Sequence, residues 1–275
     1  MLFDHRLGCS TISFRHLELP AALATIADLG FREIDLGALP GVCDHVPYVL
    51  DDDAVRTVAD TVVASGLTVR SINGDIGDLN TPLDAAGRRG RDAHLSSLID
   101  LAVATRAGAV VLPCGAQSHD PVRSLDEDLD LVADELVRAA ETANTRGVDI
   151  WVESLHFFRL CWNVDRAQQL ADRLADTSVG IVMDFSHIVA SGGDPVDFIA
   201  RFHPRVTHVH IRDAVPGDIH RSVGAGAADF AAGFTALAAA GYSGHFALEL
   251  ETRDITNDQR ASGAVNAGTF VSRLL

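Results

Sequence analysis

The chain contains no lysine: all 22 of its lysine-plus-arginine positions are arginine, and 38 acids outnumber them to give a net charge of −16. Without a lysine amine there is no Schiff-base chemistry with a sugar carbonyl or pyridoxal phosphate. The phosphate-loop lysine of nucleotide enzymes is excluded for the same reason. The acid excess also argues against a nucleic-acid partner, which would select a basic stripe. No apolar run approaches the roughly 20 residues that a bilayer span needs. The N-terminal MLFDHRLGCS carries an early acid where a secretory signal would have an apolar core. A cytoplasmic protein without membrane association is therefore expected. The cysteines at 9, 43, 114 and 161 form no C-x-x-C pair. Zinc knuckles and redox pairs are thus excluded, and reduced, mostly buried thiols are expected.

What is present is an alternation. Apolar, β-branched-rich runs lie at 7–13, 32–37, 67–73, 109–115, 148–154, 179–184, 206–212 and 245–251. Amphipathic stretches separate them, such as Leu17–Leu29 and Leu125–Ala143, whose apolar residues recur near helical spacing. Gly30, Gly66, Gly108, Gly147 and Gly241 stand where helices should end, and each is expected to supply a left-handed cap. The acids Asp51–Asp53 read as a helix start opposing the helix dipole. Eight strand–helix pairs in one chain of this length predict a single (β/α)8 TIM barrel over residues 1–275. A doubly wound sheet would place a glycine-rich fingerprint after its first strand, and CSTISFRHLE has none.

Four of the later runs end in a residue able to bind a metal: WVES (Glu153), IVMD (Asp184), HVHI (His210) and ALEL (Glu249). In a barrel of this kind the active site lies at the carboxyl ends of the strands. Carboxylates there are costly unless solvated, paired or neutralised by a cation. Any one of them alone would be an ordinary loop-facing acid. Together, three hard oxygen donors and one imidazole suit one divalent ion. Mn2+ is the expected ion, and Mg2+, Co2+ and Zn2+ also fit the donor set.

The strings MDFSH, HVHIRD and VGAGAADF, followed by ALELE, resemble the xylose isomerase-like barrel superfamily. That group includes sugar isomerases and epimerases, inosose dehydratases and endonuclease IV. The resemblance runs strand for strand along the chain and is firmest from Glu153 to Glu251. It implies that Glu153, Asp184, His210 and Glu249 are metal ligands, with Glu153 and Glu249 also the catalytic proton carriers. It places His187, the last position of D-x-x-H, near substrate. The chemistry it implies is proton removal beside a carbonyl, through an enediolate. Reprotonation on the opposite face gives epimerisation, and reprotonation on the neighbouring carbon gives isomerisation. Loss of a β-leaving group gives elimination, as in an inosose dehydratase or a lyase of 3-keto-C-glycosides. The four ligands do not choose among these. A non-catalytic barrel serving as a partner subunit is the reading from a different class.

Around this set, His156 is expected at the substrate as an extra acid or base, with Asn73 and Arg221 as further substrate contacts. His208 is expected to point opposite to His210, toward core or helices. Arg212 and Asp213 are expected to pair with each other or with Glu251, and Gly224 and Gly226 to mark a tight turn. Phe157, Phe158 and Trp162 would suit a substrate with a hydrophobic part, or pack beneath a loop. Arg159 stands where ketose 3-epimerases of the group carry another glutamate, and Pro216 where they carry an arginine. Both departures argue away from a free ketohexose. GDIHRSVGAG reproduces the D-x-H spacing that endonuclease IV uses for a further zinc, through Asp218 and His220. The histidines that such a site needs on strands three and four are replaced by Asn73 and Cys114. The expected partner is a small sugar or sugar-derived substrate, with a homo-oligomer or a small partner subunit compatible with the sequence.

Overall fold

A computed structural model describes residues 3–275. Eight parallel strands form a nearly closed barrel: β1 (Leu7–Cys9), β2 (Glu33–Ala38), β3 (Thr68–Gly74), β4 (Ala109–Pro113), β5 (Asp149–Glu153), β6 (Gly180–Asp184), β7 (Val206–Ile211) and β10 (His245–Leu248). All eight runs expected as strands are strands of this sheet. The ladder runs β2–β3–β4–β5–β6–β7–β10–β1, and β1 then lies alongside β2. Their approach is close enough that a Cβ on Gly8 would fall 2.8 Å from the Glu33 carbonyl oxygen. A short antiparallel hairpin, β8 (Asp213–Val215) and β9 (Asp218–Arg221), stands on the rim between β7 and the next helix.

Helices cover the outside of the sheet. They are α1 (Leu19–Asp28), α2 (Asp52–Ser65), α3 (Ala85–Thr105), α4 (Leu125–Asn144), α5 (Val164–Arg173), α6 (Phe185–Ala190), α7 (Pro195–Phe202), α8 (Phe230–Ala239) and α9 (Arg260–Val271). Local signals fix their starts. Asp51 caps α2 by accepting from the Ala54 N–H, and Ser124 with Glu127 forms a reciprocal capping box on α4. One expected stop is elsewhere. The left-handed residue that ends α3 is Arg106 (φ 60°), and Gly108 is not left-handed. A non-glycine residue accepts that conformation where the turn needs it before Ala107 and Gly108 feed β4. No helix among the described residues is long and apolar enough to cross a membrane. All four cysteines are buried and free.

Strand residues alternate between two environments. Ile34, Leu36, Val110, Leu112, Ile150 and Val152 join the main apolar core under the helices. Inside the barrel, Ala109, Val111, Trp151 and Val182 form a separate small apolar cluster. The facing side of the interior is polar instead. Asp35, Ser71 and His208 are buried there and bonded to one another.

Candidate functional site

Glu153 ends β5, Asp184 ends β6, His210 lies one residue before the end of β7, and Glu249 follows β10 directly. Sheet register brings them level. Asp184 pairs with His210, Ala247 pairs with His210, and the Glu249 N–H continues the ladder onto the Ile211 carbonyl at 3.1 Å. One ligating atom from each of the four can be chosen so that all lie within 4.8 Å of one another, and all four residues are buried. His210 turns Nδ1 toward this group, 3.2 Å from Glu153 Oε1 and 3.5 Å from Glu249 Oε2.

The donor set fits a divalent cation, on evidence of the chain itself. Asp184 spends Oδ1 on the Ser186 N–H and hydroxyl and on the His187 N–H, at 2.6, 2.6 and 3.2 Å. Its Oδ2 is buried without a hydrogen-bond partner. Three buried carboxylates then share one histidine and Arg212, whose Nη2 lies 3.6 Å from Asp184 Oδ2 and 4.0 Å from Glu249 Oε2. The strain shows in the protonation of Glu249. Burial, with Glu153 and Asp184 nearby, pushes its carboxyl up to about 8 against the opposing pull of His210 and Arg212. Glu153 goes the other way. Burial opposes its ionisation, but the His210 hydrogen bond and the neighbouring histidines bring it down to about 2. His210 is held well above its ordinary value, because Glu249, Asp35 and Glu153 outweigh its burial.

A cavity of about 250 Å³ opens above the quartet, lined in part by Asn73, Glu153, His156, His187, Arg212 and Glu249. Asn73 Nδ2 donates to Glu249 Oε1 at 2.9 Å, so it holds the carboxylate as well as facing the cavity. His187 and His156 pack with ring centroids 3.9 Å apart and planes tilted by 32°. Each accepts a backbone N–H at Nδ1, His187 from Phe157 and His156 from Phe158. For His156 this places the proton of the neutral ring on Nε2, whereas His187 Nε2 lies 3.4 Å from Arg212 Nη2, which can only donate. The Nε2 atoms of His187 and His156 lie 3.9 and 3.8 Å from Glu153 carboxylate oxygens. Burial lowers the pKa of both, His187 to about 3. Both rings are therefore neutral at the mouth of the quartet, and His156 is the one that presents an Nε2–H donor beside Glu153.

Other expected positions fall elsewhere. Arg221 pairs with Asp218 at 3.0 Å on the hairpin, with 40% of its side chain exposed, and is not among the cavity's lining residues. Arg212, Arg159 and Arg253 are the arginines that reach the cavity. Arg212 bonds Ser186 Oγ through Nε and pairs with Glu251 at 3.4 Å, not with Asp213. Asp213 instead gathers the backbone N–H groups of Ala214, Gly224, Gly226 and Ala228. His220 lines the cavity, with its Nδ1 2.9 Å from the Glu251 carbonyl. Two further sets of three ligating groups occur among the described residues, Glu153–His156–His187 and Asp35–His208–His210. Asp218 and His220 are in neither. Phe158 reaches the cavity, while Phe157 packs against the rim and Trp162 stacks on His119 at 4.7 Å.

The expected direction of His208 is wrong. Residues two apart on a strand share a face, and His208 and His210 both point into the barrel with ring centroids 5.2 Å apart. His208 is fully buried one level below His210, where Nε2 meets Asp35 Oδ2 at 2.7 Å. Burial opposes ionisation of Asp35, but His208 and His210 hold its carboxyl far below the usual range. Neither Asp35 nor the site role of Arg212 stands out from the sequence. The available signal was REIDLG, where two acids at alternate positions interrupt a strand that has to be buried.

The model of the xylose isomerase-like TIM barrel family matches residues 23–268. Among curated relatives, inosose dehydratase of Geobacillus thermodenitrificans is 28% identical over 144 residues, covering 46% of this chain and 48% of that protein. The chain thus matches about half the length of these relatives. D-allulose 3-epimerase from Methylomonas sp. superposes with a TM-score of 0.79 at 19% identity, covering all of both chains. The IolI protein with a bound zinc atom gives 0.77 at 18% identity, covering 97% of this chain and 98% of that one. L-ribulose 3-epimerase gives 0.77 at 22% identity, with 98% and 94% covered. At these identities the structural likeness speaks for the fold.

Proposed function

Because the chain belongs to the xylose isomerase-like TIM barrel family, we propose that it is a divalent-metal-dependent enzyme acting beside the carbonyl of a sugar or keto-polyol. The observation that carries this reading is the buried quartet of Glu153, Asp184, His210 and Glu249, with Asp184 Oδ2 left without a partner. These four residues would hold the ion. When bound, it would supply Lewis-acid polarisation of the substrate carbonyl and lower the acidity barrier at the neighbouring C–H. Mn2+ is our first choice, and the solved relative with zinc keeps Zn2+ in the test.

The proton work falls to the two glutamates. They stand on β5 and just after β10, with β6 and β7 between them, so a substrate over the quartet has one carboxylate to each side. Asn73 occupies Glu249 Oε1 and leaves Oε2 as the atom that takes or returns a proton. On Glu153, Oε1 faces His210 and Oε2 faces His156, which points to Oε2 as the working atom. His156 would donate an Nε2–H hydrogen bond to a substrate hydroxyl, and His187, with Nε2 beside Arg212, would line the same wall of the cavity. Removal by one glutamate and return by the other inverts the carbon, the epimerase outcome.

A second reading has its own support. Inosose dehydratases are among the curated matches, and the His156 Nε2–H donor beside Glu153 suits a departing β-hydroxyl. Elimination and epimerisation begin with the same proton removal, so one experiment separates them. The protein is incubated with Mn2+ or Zn2+ in D2O with a panel of ketoses, keto-inositols and keto-glycosides. Deuterium should enter the carbon beside the carbonyl of at least one class. An epimer or isomer supports the first reading, and a dehydrated or aglycone product supports the second. Failure of the protein to bind a divalent metal, or metal-loaded protein that exchanges no proton in any of the three classes, overturns both.

A further inference from the structure

We infer that Asp35 is a positioning residue for the metal centre, acting through the far nitrogen of His210. The inference rests on His210 being a metal ligand, as proposed above. Asp35 lies in the middle of β2, on the opposite side of the barrel from the ligand strands, and is fully buried. Its side chain crosses the interior. Oδ1 accepts the Ser71 hydroxyl at 2.8 Å, and Oδ2 lies 2.7 Å from His208 Nε2 and 3.3 Å from His210 Nε2. The second approach is within ion-pair range but is not aligned as a hydrogen bond, and His210 Nε2 has no hydrogen-bond partner among the described residues. Asp35 is therefore the acceptor available to that nitrogen.

The chemistry needs such an acceptor. An imidazole can give Nδ1 to a cation only if its remaining proton sits on Nε2. A buried Nε2–H without a partner is unfavourable. A carboxylate there fixes the tautomer, orients the ring and makes Nδ1 a better donor, and its loss typically lowers metal affinity about 10–100-fold. Burial makes the case specific. The apolar side of the interior, with Ala109, Val111 and Val182, asks nothing of a carboxylate. A charge taken so deep would be unfavourable unless its hydrogen bonds served a purpose. Ser71 fixes the carboxylate from one side and the two histidines meet the other.

The competing explanation is that Asp35 serves only as the partner of His208, a matter of packing. Two variants separate the alternatives. Asp35→Asn keeps the shape and removes the charge. The double variant Asp35→Leu with His208→Leu replaces the buried polar pair by apolar groups, which is often tolerated in an interior, and leaves His210 Nε2 without an acceptor. Zn2+ affinity is measured by chelator competition, with the fold checked by circular dichroism. The Nε2 proton of His210 is followed by 15N-edited NMR in the zinc-loaded protein. We expect both variants to bind zinc about 10–100-fold more weakly than wild type, with the His210 Nε2 proton moving upfield from its carboxylate-bonded position. Wild-type affinity in a folded double variant, or an unmoved Nε2 proton in Asp35→Asn, overturns the inference. Wild-type protein that binds no metal overturns the proposed function instead.

Discussion

Asp184 and Asp213 are both 1% exposed and lie on the same rim of the barrel, yet the chain treats their charges differently. Asp213 receives four backbone N–H groups at 2.8–3.1 Å, two on each oxygen, from its own hairpin and the loop that follows. A Cβ on Gly226 would fall 2.2 Å from Asp213 Oδ1, so the loop is shaped tightly around the carboxylate. Asp184 has one oxygen satisfied and the other bare, beside two further carboxylates. A carboxylate wrapped in N–H groups is complete and holds a loop together. One oxygen without a hydrogen bond beside two further carboxylates, with Arg212 3.6 Å away, is an arrangement that a cation would complete. The difference is one of partners, since burial and residue type are the same.

The sharpest way to break this distinction is to neutralise carboxylates at each cluster in turn. Glu153→Gln and Glu249→Gln should each lower turnover of the substrate found in the deuterium screen by about 10²–10⁴-fold, the range for loss of a general acid or base. The circular dichroism spectrum should be unchanged. Turnover within tenfold of wild type in either variant would remove that glutamate from the proton path. Asp213→Asn should leave turnover within a few-fold of wild type.

Metal addition should stabilise the quartet and do nothing for the Asp213 loop. At a free metal concentration 100 times the dissociation constant, binding to the folded state alone adds about 2.7 kcal/mol. For a domain of this size that is a rise of roughly 5–10 °C in Tm. Chelator should reverse it, and Asp184→Asn should show little or none of it. The pH dependence has a definite sign. In the metal-free protein Glu249 is raised to about 8 from an ordinary 4.5. The folded state therefore holds a proton that the unfolded chain releases, and metal-free stability falls as pH rises from about 4.5 to 8. Glu153, lowered to about 2, contributes stability that is present above about 4.5 and lost as pH falls toward 2. A cation has to displace the Glu249 proton, so apparent metal affinity should climb up to about pH 8 and then level off for this group. An affinity that is flat between pH 6 and 8 would contradict the shared site.

The barrel and the quartet were legible for different reasons. The eight strands announced themselves through apolar runs bounded by helical periodicity, a signal repeated often enough to survive errors at individual ends. The quartet was legible because four ligand-type residues close four successive runs. Direction inside a strand was harder. The spacing of His208 from His210 puts both on one face, contrary to the direction expected from the sequence, and the buried Asp35 level depends on that shared face. Arg221 and Arg212 show a different limit. Both lie in the segment after β7, and nothing local distinguishes the one that turns inward to Glu251 and Ser186 from the one that folds back onto Asp218. That choice depends on the hairpin, whose shape is set by Asp213 reaching loop residues up to 15 positions away. Likewise the left-handed stop of α3 falls on Arg106 because chain geometry, not glycine placement, decides where the turn is needed.

Asp213 itself supplies a smaller effect that sharpens the comparison from the other side. Asp213→Asn replaces a full acceptor with an amide that must point one donor at backbone N–H groups. A loss of about 1–3 kcal/mol is expected, as for a buried group left unsatisfied. Thermal unfolding should show it, with the zinc affinity of the folded variant unchanged. A matching fall in zinc affinity would mean that the loop and the quartet are one unit, and the contrast drawn between them would fail.

Arg221 should show the smallest effect. It faces solvent on β9, and its ion pair with Asp218 is between two groups that are each more than a third exposed. Pairs of that kind contribute little. Arg212 sits on the other side of the hairpin, 2% exposed and within 4.0 Å of Asp184, Glu249 and Glu251. Arg221→Ala should therefore change KM and kcat by less than about twofold, whereas Arg212→Ala should weaken both folding and turnover through uncompensated buried carboxylates. The test is a side-by-side measurement of KM for the two variants on the substrate of the deuterium screen. A large rise in KM for Arg221→Ala with Tm unchanged would mean that the hairpin swings its arginine into the cavity when substrate is bound, and that the rim is less fixed than the Asp213 bonds imply.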